Sequence, residues 1–226
     1  MIQILPSLLA ADGARLGDEI RRVEAAEADA LHLDIMDAHF VPNLSFGPDV
    51  VRVTARCAPG LHRHVHLMLS RPDLYVAPFA DAGAQTIQIH VEADCDIWQT
   101  LRMIRDRGLR TGLVLRPQTS PEAAFPYLAL CDEVLFMTVN PGYGGQSFMP
   151  EVLPHIERLR KRLCSDGKPE FDIMVDGGIN FETGAKAAAA GANQFVAGSF
   201  LFRQPDMGAA VAALRETCGQ AFPGTF

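Results

Sequence analysis

The chain has no surplus of basic residues, no long apolar run and no paired-cysteine pattern, and each absence removes a class of function. Lys and Arg together number 20 against 27 Asp and Glu, for a net charge of -7. No basic surface therefore recommends nucleic acid or an anionic lipid face, so no nucleic-acid and no membrane partner is expected. No stretch approaches the roughly 18 consecutive apolar residues of a membrane span. The opening Met1-Ile2-Gln3-Ile4-Leu5-Pro6 lacks both a basic segment and a long apolar one, so no secretory signal is expected. The five cysteines, Cys57, Cys95, Cys131, Cys164 and Cys218, are odd in number, scattered and without a C-x-x-C pair. That usage suits a reducing, cytoplasmic setting better than a disulfide framework. Lysine is scarce too: Lys161, Lys168 and Lys186 are the whole supply.

What is present is apolar and evenly distributed. With 226 residues, 48% of them hydrophobic, the chain can bury a large core as one domain spanning residues 1–226. Strand-like and helix-like segments alternate from end to end. Strands are predicted at Ile2–Leu5, Leu31–Ile35, His64–Leu67, Thr86–His90, Thr111–Leu115, Val134–Thr138, Asp172–Val175 and Gln194–Ala197. Helices are predicted between and after them, near Gly13–Ala28, Asp49–Cys57, Pro72–Ala82, Ile97–Arg107, Pro121–Leu130, Pro150–Leu163, Glu182–Ala190 and Met207–Thr217. The joins Glu27-Ala28-Asp29-Ala30, Asp81-Ala82-Gly83-Ala84 and Ala190-Gly191-Ala192-Asn193 look like one repeated device that stops a helix and starts a strand. Eight evenly spaced strand-helix units, with no dinucleotide-type glycine fingerprint after the first strand, predict an α/β fold: a single-domain (β/α)8 TIM barrel.

The chemistry sits where such a barrel keeps its active site, at the C-terminal strand ends. Ser7, Asp34, His66, His90, Asp176 and Ser199 all fall there. Successive strand side chains alternate, so His32, Asp34 and Met36 share a face, as do His66 and Met68. Two imidazoles and a carboxylate on one buried surface are unfavourable unless paired, and a metal ion would satisfy them. Asp176, ending the run Ile173-Met174-Val175, adds a second carboxylate. The expected ligand set is therefore His32, Asp34, His66 and Asp176, a mixed nitrogen and oxygen site for a borderline divalent metal. His64 shares the phase of His66 but lies deeper and reads as a hydrogen-bonded core histidine. His90 has no matching carboxylate nearby and reads as support for a ligand. Met36, Met68 and Met137 near the strand ends could form an apolar cap over a reactive planar intermediate, although methionine is mostly a gap filler.

Asp34 and Asp176 decide the expected reaction. Two carboxylates beside one metal can serve as base and acid on opposite faces of a substrate, with the metal stabilising the enediolate left when a proton leaves beside a carbonyl. Removal on one face and return on the other inverts one carbon, and no organic cofactor is called for. The loop Asn140-Pro141-Gly142-Tyr143-Gly144-Gly145-Gln146-Ser147-Phe148 after the sixth strand could close over substrate. Gly177-Gly178 and Gly198-Ser199 follow the last two strands, where such barrels often grip phosphate with backbone N–H groups. A small phosphorylated substrate follows, bound by an acidic protein without a basic surface.

Pro6-Ser7-Leu8-Leu9-Ala10, Leu31 to Asp37 with His39-Phe40-Val41-Pro42-Asn43, His66-Leu67-Met68, Met137 to Phe148, Val175 to Ile179 and Val196 to Ser199 closely resemble the ribulose-phosphate 3-epimerase family, in order and over nearly the whole chain. The resemblance implies interconversion of D-ribulose 5-phosphate and D-xylulose 5-phosphate in pentose phosphate metabolism. It implies His32, Asp34, His66 and Asp176 as ligands of one divalent ion per subunit (zinc, iron, manganese or cobalt). Asp34 is then the proton acceptor and Asp176 the donor in one direction, with roles exchanged in reverse. Ser7 and His66 would touch substrate, and Gly142, Tyr143, Gly144, Gly145, Asp176, Gly177, Gly178, Gly198 and Ser199 would line the substrate and its phosphate. A homo-oligomer, dimer or hexamer, is implied as well. Three positions depart from the family pattern: Ala38 where glycine is usual, His64 where Asp is expected, and Arg116 where Asn or Lys usually precedes the proline. Arg116 either reaches into the pocket or forms a salt bridge on the rim. The departures leave metal and carboxylates intact and bear on the sugar, so 3-epimerisation of another ketose phosphate such as allulose 6-phosphate is the alternative. A lyase of the wider barrel group would want a lysine among its carboxylates, and the three lysines lie in helices or loops. A non-catalytic sugar-phosphate sensor would have no use for the acid–base pair.

Overall fold

Strands and helices alternate along residues 1–223, the part of the chain that the computed structural model describes. The strands are β1 (Gln3–Pro6), β2 (Ala30–Met36), β3 (His62–Met68), β4 (Thr86–His90), β5 (Arg110–Leu115), β6 (Glu133–Met137), β7 (Asp172–Asp176) and β8 (Gln194–Ala197). They form one parallel sheet of 8 strands in the order β1-β8-β7-β6-β5-β4-β3-β2. A single parallel bridge between Ser7 and His32 joins β1 to β2, so the sheet closes at its C-terminal rim. The fold is a single-domain (β/α)8 barrel. Its helices are α1 (Leu16–Ala25), α2 (Pro48–Cys57), α3 (Val76–Asp81), α4 (Ile97–Asp106), α5 (Leu153–Ser165), α6 (Phe181–Ala189), α7 (Ser199–Phe202) and α8 (Met207–Ala221). Among the described residues no helix is long and apolar enough to cross a membrane, and all five cysteines are free thiols.

Alternation along each strand separates two cores. Outward side chains such as Leu31, Leu33, Ile35, Val65, Leu67, Ile87 and Ile89 pack under the helices in one continuous apolar layer. Ile97, Leu101 and Ile104 of α4 join that layer from a single helix face. Inside the barrel, Leu5, Val114, Leu135, Met174 and Val196 fill one side. The other side, lined by β2 to β4, is polar: His32, His64, His66, Gln88 and His90 are all buried. Apart from Ile2 and Thr138, which fall just outside β1 and β6, the residues expected as strands are strands, and several strands run a residue or two further.

Local corrections have local causes. The helix expected over Pro121–Leu130 is a 3-10 helix, Pro121–Tyr127, with Pro126 inside it, whose ring would clash with the carbonyl four residues back in an α-helix. The stretches expected as helices from Gly13 and from Pro72 begin as separate 3-10 turns, Gly13–Arg15 and Pro72–Leu74. The short α7 was not expected. The shared joins are real in backbone terms: Glu27, Gly83 and Gly191 all take positive φ, 53°, 101° and 112°. Glu27 adopts without glycine the turn its two counterparts make with it.

Candidate active site

Register alone brings three of the four expected ligands together. β2 and β3 pair so that His32 faces His64, Asp34 faces His66 and Met36 faces Met68. Asp176 ends β7 beside Met137 and Val196 and completes the group across the rim. One ligand atom from each of His32, Asp34, His66 and Asp176 lies within 4.8 Å of the others. His32 Nε2 is 3.3 Å and His66 Nδ1 3.2 Å from the same oxygen, Oδ1 of Asp34. The same two nitrogens lie 3.9 and 4.0 Å from Oδ2 of Asp176. Two ring nitrogens and two carboxylates thus converge with no lysine or arginine among them. This donor set fits a divalent cation of the zinc, iron, manganese or cobalt kind.

The two carboxylates are held differently. Burial pushes Asp34 up, but His32 and His66 outweigh it and hold the carboxyl well below its usual range. Ser7 Oγ donates to its Oδ2 at 2.6 Å, and Ser45 Oγ ties the Asp34 carbonyl at 2.6 Å. Among the described residues no serine hydroxyl reaches the Asp176 carboxylate in this way. Burial, then the charge of Asp34, raises it well above the ordinary range. Asp176 also keeps 15% of its side chain exposed, against 4% for Asp34. The two carboxylates are therefore pushed in opposite directions, Asp34 toward its ionised form and Asp176 toward its protonated form.

Above them opens a cavity of about 600 Å³. Ser7, Asp34 and Asp176 form part of its lining, with Met36, Met68 and Met137 on the wall and Gly142 to Gly145, Gly177, Gly178, Gly198 and Ser199 around the far end. His32 and His66 are fully buried and lie beneath this surface. Lys186, Arg203 and Gln204 also line the cavity. Sequence reasoning missed them, because they stand on or after helices rather than at strand ends. At Gly178, φ is 65° and a Cβ would come within 2.6 Å of the Phe148 backbone nitrogen, so only glycine fits there.

The loop of residues 140–148 is tied to the loop after β2. Asn43 Nδ2 donates to the Gly142 carbonyl at 2.8 Å, and Tyr143 Oη to the Pro42 carbonyl at 2.7 Å. Gln146 Nε2 braces the loop from within, on the carbonyls of Asn140 and Tyr143.

The unusual residues find separate explanations. His64 Nε2 meets Glu133 Oε1 at 2.6 Å, deep in the barrel. Gly112 makes room for that pair, since a Cβ there would come within 2.9 Å of Glu133 Oε1. Ala38 takes φ 60°, which is why glycine suits the position better. Arg116 takes neither course expected of it. Its guanidinium lies 4.2 Å from the centre of the Phe40 ring and donates to the Phe40 carbonyl at 2.9 Å, outside the cavity lining. His90 does have a carboxylate, contrary to the sequence reading: Glu92, two residues on, with Oε2 3.1 Å from His90 Nδ1. The i, i+2 spacing of His90 and Glu92 was the available signal, and the strand ending at His90 hid it. Burial above all pushes His90 down to about 4, and Glu92 is held at about 2 because His90 and its other partners outweigh its burial.

Comparison with known proteins adds the following. The model of the ribulose-phosphate 3 epimerase family matches residues 3–202. The ribulose-phosphate 3-epimerase of Bacillus subtilis is 43% identical over 215 residues, covering 95% of this chain and 99% of that one. The ribulose-phosphate 3-epimerase of Synechocystis is 44% identical over 218 residues, covering 96% and 94%. Among solved structures, 3-hexulose-6-phosphate synthase from Salmonella typhimurium superposes with a TM-score of 0.69 at 14% identity, covering 97% of this chain and 100% of that one. At that identity the likeness extends to the fold alone.

Proposed function

The chain belongs to the ribulose-phosphate 3-epimerase family, and on that footing we propose that it inverts carbon 3 of a ketose phosphate, D-ribulose 5-phosphate to D-xylulose 5-phosphate. The observation that carries the reading is the split pair at the cavity floor. Asp34 is held toward its ionised form, and burial and the charge of Asp34 push Asp176 toward its protonated form. Asp34 is then the base that takes the carbon-3 proton on one face, and Asp176 the acid that returns a proton on the other. The reverse reaction exchanges the roles. A divalent cation held by His32, Asp34, His66 and Asp176 would supply Lewis-acid stabilisation of the negative charge on the enediolate. Ser7 keeps the Asp34 carboxylate oriented through its 2.6 Å hydrogen bond. Met36, Met68 and Met137 exclude water from above the planar intermediate. The glycine-rich backbone at Gly142 to Gly145, Gly177, Gly178, Gly198 and Ser199 surrounds the phosphate. None of Ala38, His64 and Arg116 lines the cavity, which favours the five-carbon sugar over a larger one.

The test is solvent deuterium exchange at carbon 3 of D-ribulose 5-phosphate, followed by NMR. Label is expected in both ketoses. Asp34→Asn and Asp176→Asn each slow it by about 10²- to 10⁴-fold, the usual worth of a positioned acid or base. Chelation is expected to suppress exchange and added Zn²⁺ to restore it. Exchange with allulose 6-phosphate but not ribulose 5-phosphate would keep the mechanism and overturn the sugar.

A further inference from the structure

The Arg116 guanidinium lies outside the cavity lining and, among the described residues, pairs with no carboxylate. Its contacts converge on one residue of another loop. The guanidinium carbon sits 4.2 Å from the centre of the Phe40 ring, and a terminal nitrogen donates to the Phe40 carbonyl at 2.9 Å. A planar fork of donors can stack on a ring and reach a carbonyl at once, which a point charge does less well. The other end of Arg116 is fixed at the close of β5, where its backbone N–H donates to Glu92 Oε1 at 3.0 Å. Phe40 itself stands at the apex of the loop after β2. The base of that loop is closed by the bridge between Asp37 and Leu44 and by the Ala38 N–H, which donates to the Asn43 carbonyl at 2.8 Å. The Phe40 ring packs against Met36, Val41 and Met68, two of which line the cavity.

The three residues after Phe40 carry the glycine-rich loop of residues 140–148. The Pro42 carbonyl accepts from Tyr143 Oη at 2.7 Å, and Asn43 Nδ2 donates to the Gly142 carbonyl at 2.8 Å. Gly142 lies so close that a Cβ there would stand 3.4 Å from both Val41 and Pro42. Gly142 to Gly145 in turn line the cavity. We infer that Arg116 is a positioning residue: it seats the loop after β2, and through that loop it holds the glycine-rich loop at the cavity. The route runs from the end of β5 to the apex of one loop and from there to the tip of the next. Arg116 touches no reacting atom on this route, so its contribution falls on substrate retention and loop protection rather than on proton transfer. The expected change in KM rests on the activity proposed in the preceding subsection; the expected change in loop protection does not.

Arg116→Met keeps the apolar stem and removes the fork. Two measurements on the full chain test the inference. Amide hydrogen exchange is expected to quicken in Arg116→Met across residues 37–45 and also across 142–147, which Arg116 does not touch. KM for D-ribulose 5-phosphate is expected to rise about two- to thirtyfold, the worth of a cation–π contact, without a fall in kcat. Tyr143→Phe added to Arg116→Met is expected to raise KM by less than it does in the wild type, because both act through the loop after β2. A merely structural role for Arg116 would lower the melting temperature and leave KM and exchange across 142–147 at their wild-type values, and that result overturns the inference. An undiminished effect of Tyr143→Phe overturns the route through the loop after β2. Should Arg116→Met not fold, Arg116→Lys, which keeps a cation but not the fork, is expected to show the same changes at smaller size and is judged in the same way. A wild type that does not turn over D-ribulose 5-phosphate overturns the proposed activity instead, and exchange across 142–147 still decides the inference.

Discussion

Asp34 and Asp176 are the same residue type a few ångströms apart, and their neighbours alone set them at opposite ends of the carboxylate range. Asp34 has two imidazoles at 3.2–3.3 Å and a serine hydroxyl; the same imidazoles stand 3.9–4.0 Å from Asp176, where burial and the charge of Asp34 prevail. Deeper in the barrel, Glu133 shows the same logic in a structural role. Its burial is offset by His64, with Arg110 and Gln88 assisting, and together they hold the carboxyl below its ordinary range. Removing one member of such a pair strands the other in a place water cannot reach. Glu133→Leu leaves His64 Nε2 and Gln88 Nε2 without their acceptor and is expected to destabilise the protein by about 3 kcal/mol or more. Urea unfolding at pH 7 measures the difference.

At the scale of elements, strand register does most of the assembly. The in-phase pairing of β2 with β3 places Asp34 opposite His66 and Met36 opposite Met68, so a slip of one residue would turn every ligand on one strand outward. Loops finish the site. The loop of residues 140–148 is anchored at its base, where the Met149 N–H donates to the Thr138 carbonyl at 2.8 Å, and at its tip by Tyr143 on Pro42. Tyr143 is 56% exposed, so the tip bond contributes about 1 kcal/mol and no more. Tyr143→Phe is expected to raise KM about two- to tenfold with little change in the chemical step. Faster hydrogen exchange across residues 142–147 would accompany it, and unchanged exchange would show that the tip bond does not hold the loop.

For the molecule as a whole, the barrel interior is divided: mostly apolar where β5 to β8 face inward, Glu133 being an exception, and histidine-rich along β2 to β4. Histidines kept neutral by burial make the fold sensitive to acid. His62, outside the candidate metal group, is pushed from 6.5 down to about 4, by burial first and then by the nearby His64. Above pH 6.5 both folded and unfolded chains hold it neutral, and its full contribution to stability is present. As pH falls from 6.5 to 4 the unfolded chain takes up a proton that the folded one refuses, so stability drops across that window and levels below it. For a half-buried group the loss is about 1–2 kcal/mol after allowing for solvent screening. Urea midpoints between pH 7 and pH 4 should therefore fall more steeply for wild type than for His62→Gln.

The sequence by itself determined the alternation of strands and helices, the barrel they form, and the placing of His32, Asp34, His66 and Asp176 at one rim. Each of these follows from short-range rules: apolar periodicity, the two-residue repeat of a strand, and a turn residue at each join. Pro126 marks the limit of those rules, since the apolar pattern around it reads as an α-helix while its ring, which an α-helical turn does not accommodate, sits in a 3-10 one. What only the tertiary structure decided depends on residues far apart in the chain. Glu133 lies 69 residues from His64 and becomes its partner only when the barrel closes. Arg116 is turned onto Phe40, 76 positions earlier, because the loop after β2 folds over the end of β5. The opposite shifts of the two aspartates likewise rest on distances of a few ångströms between strands, which no local pattern encodes.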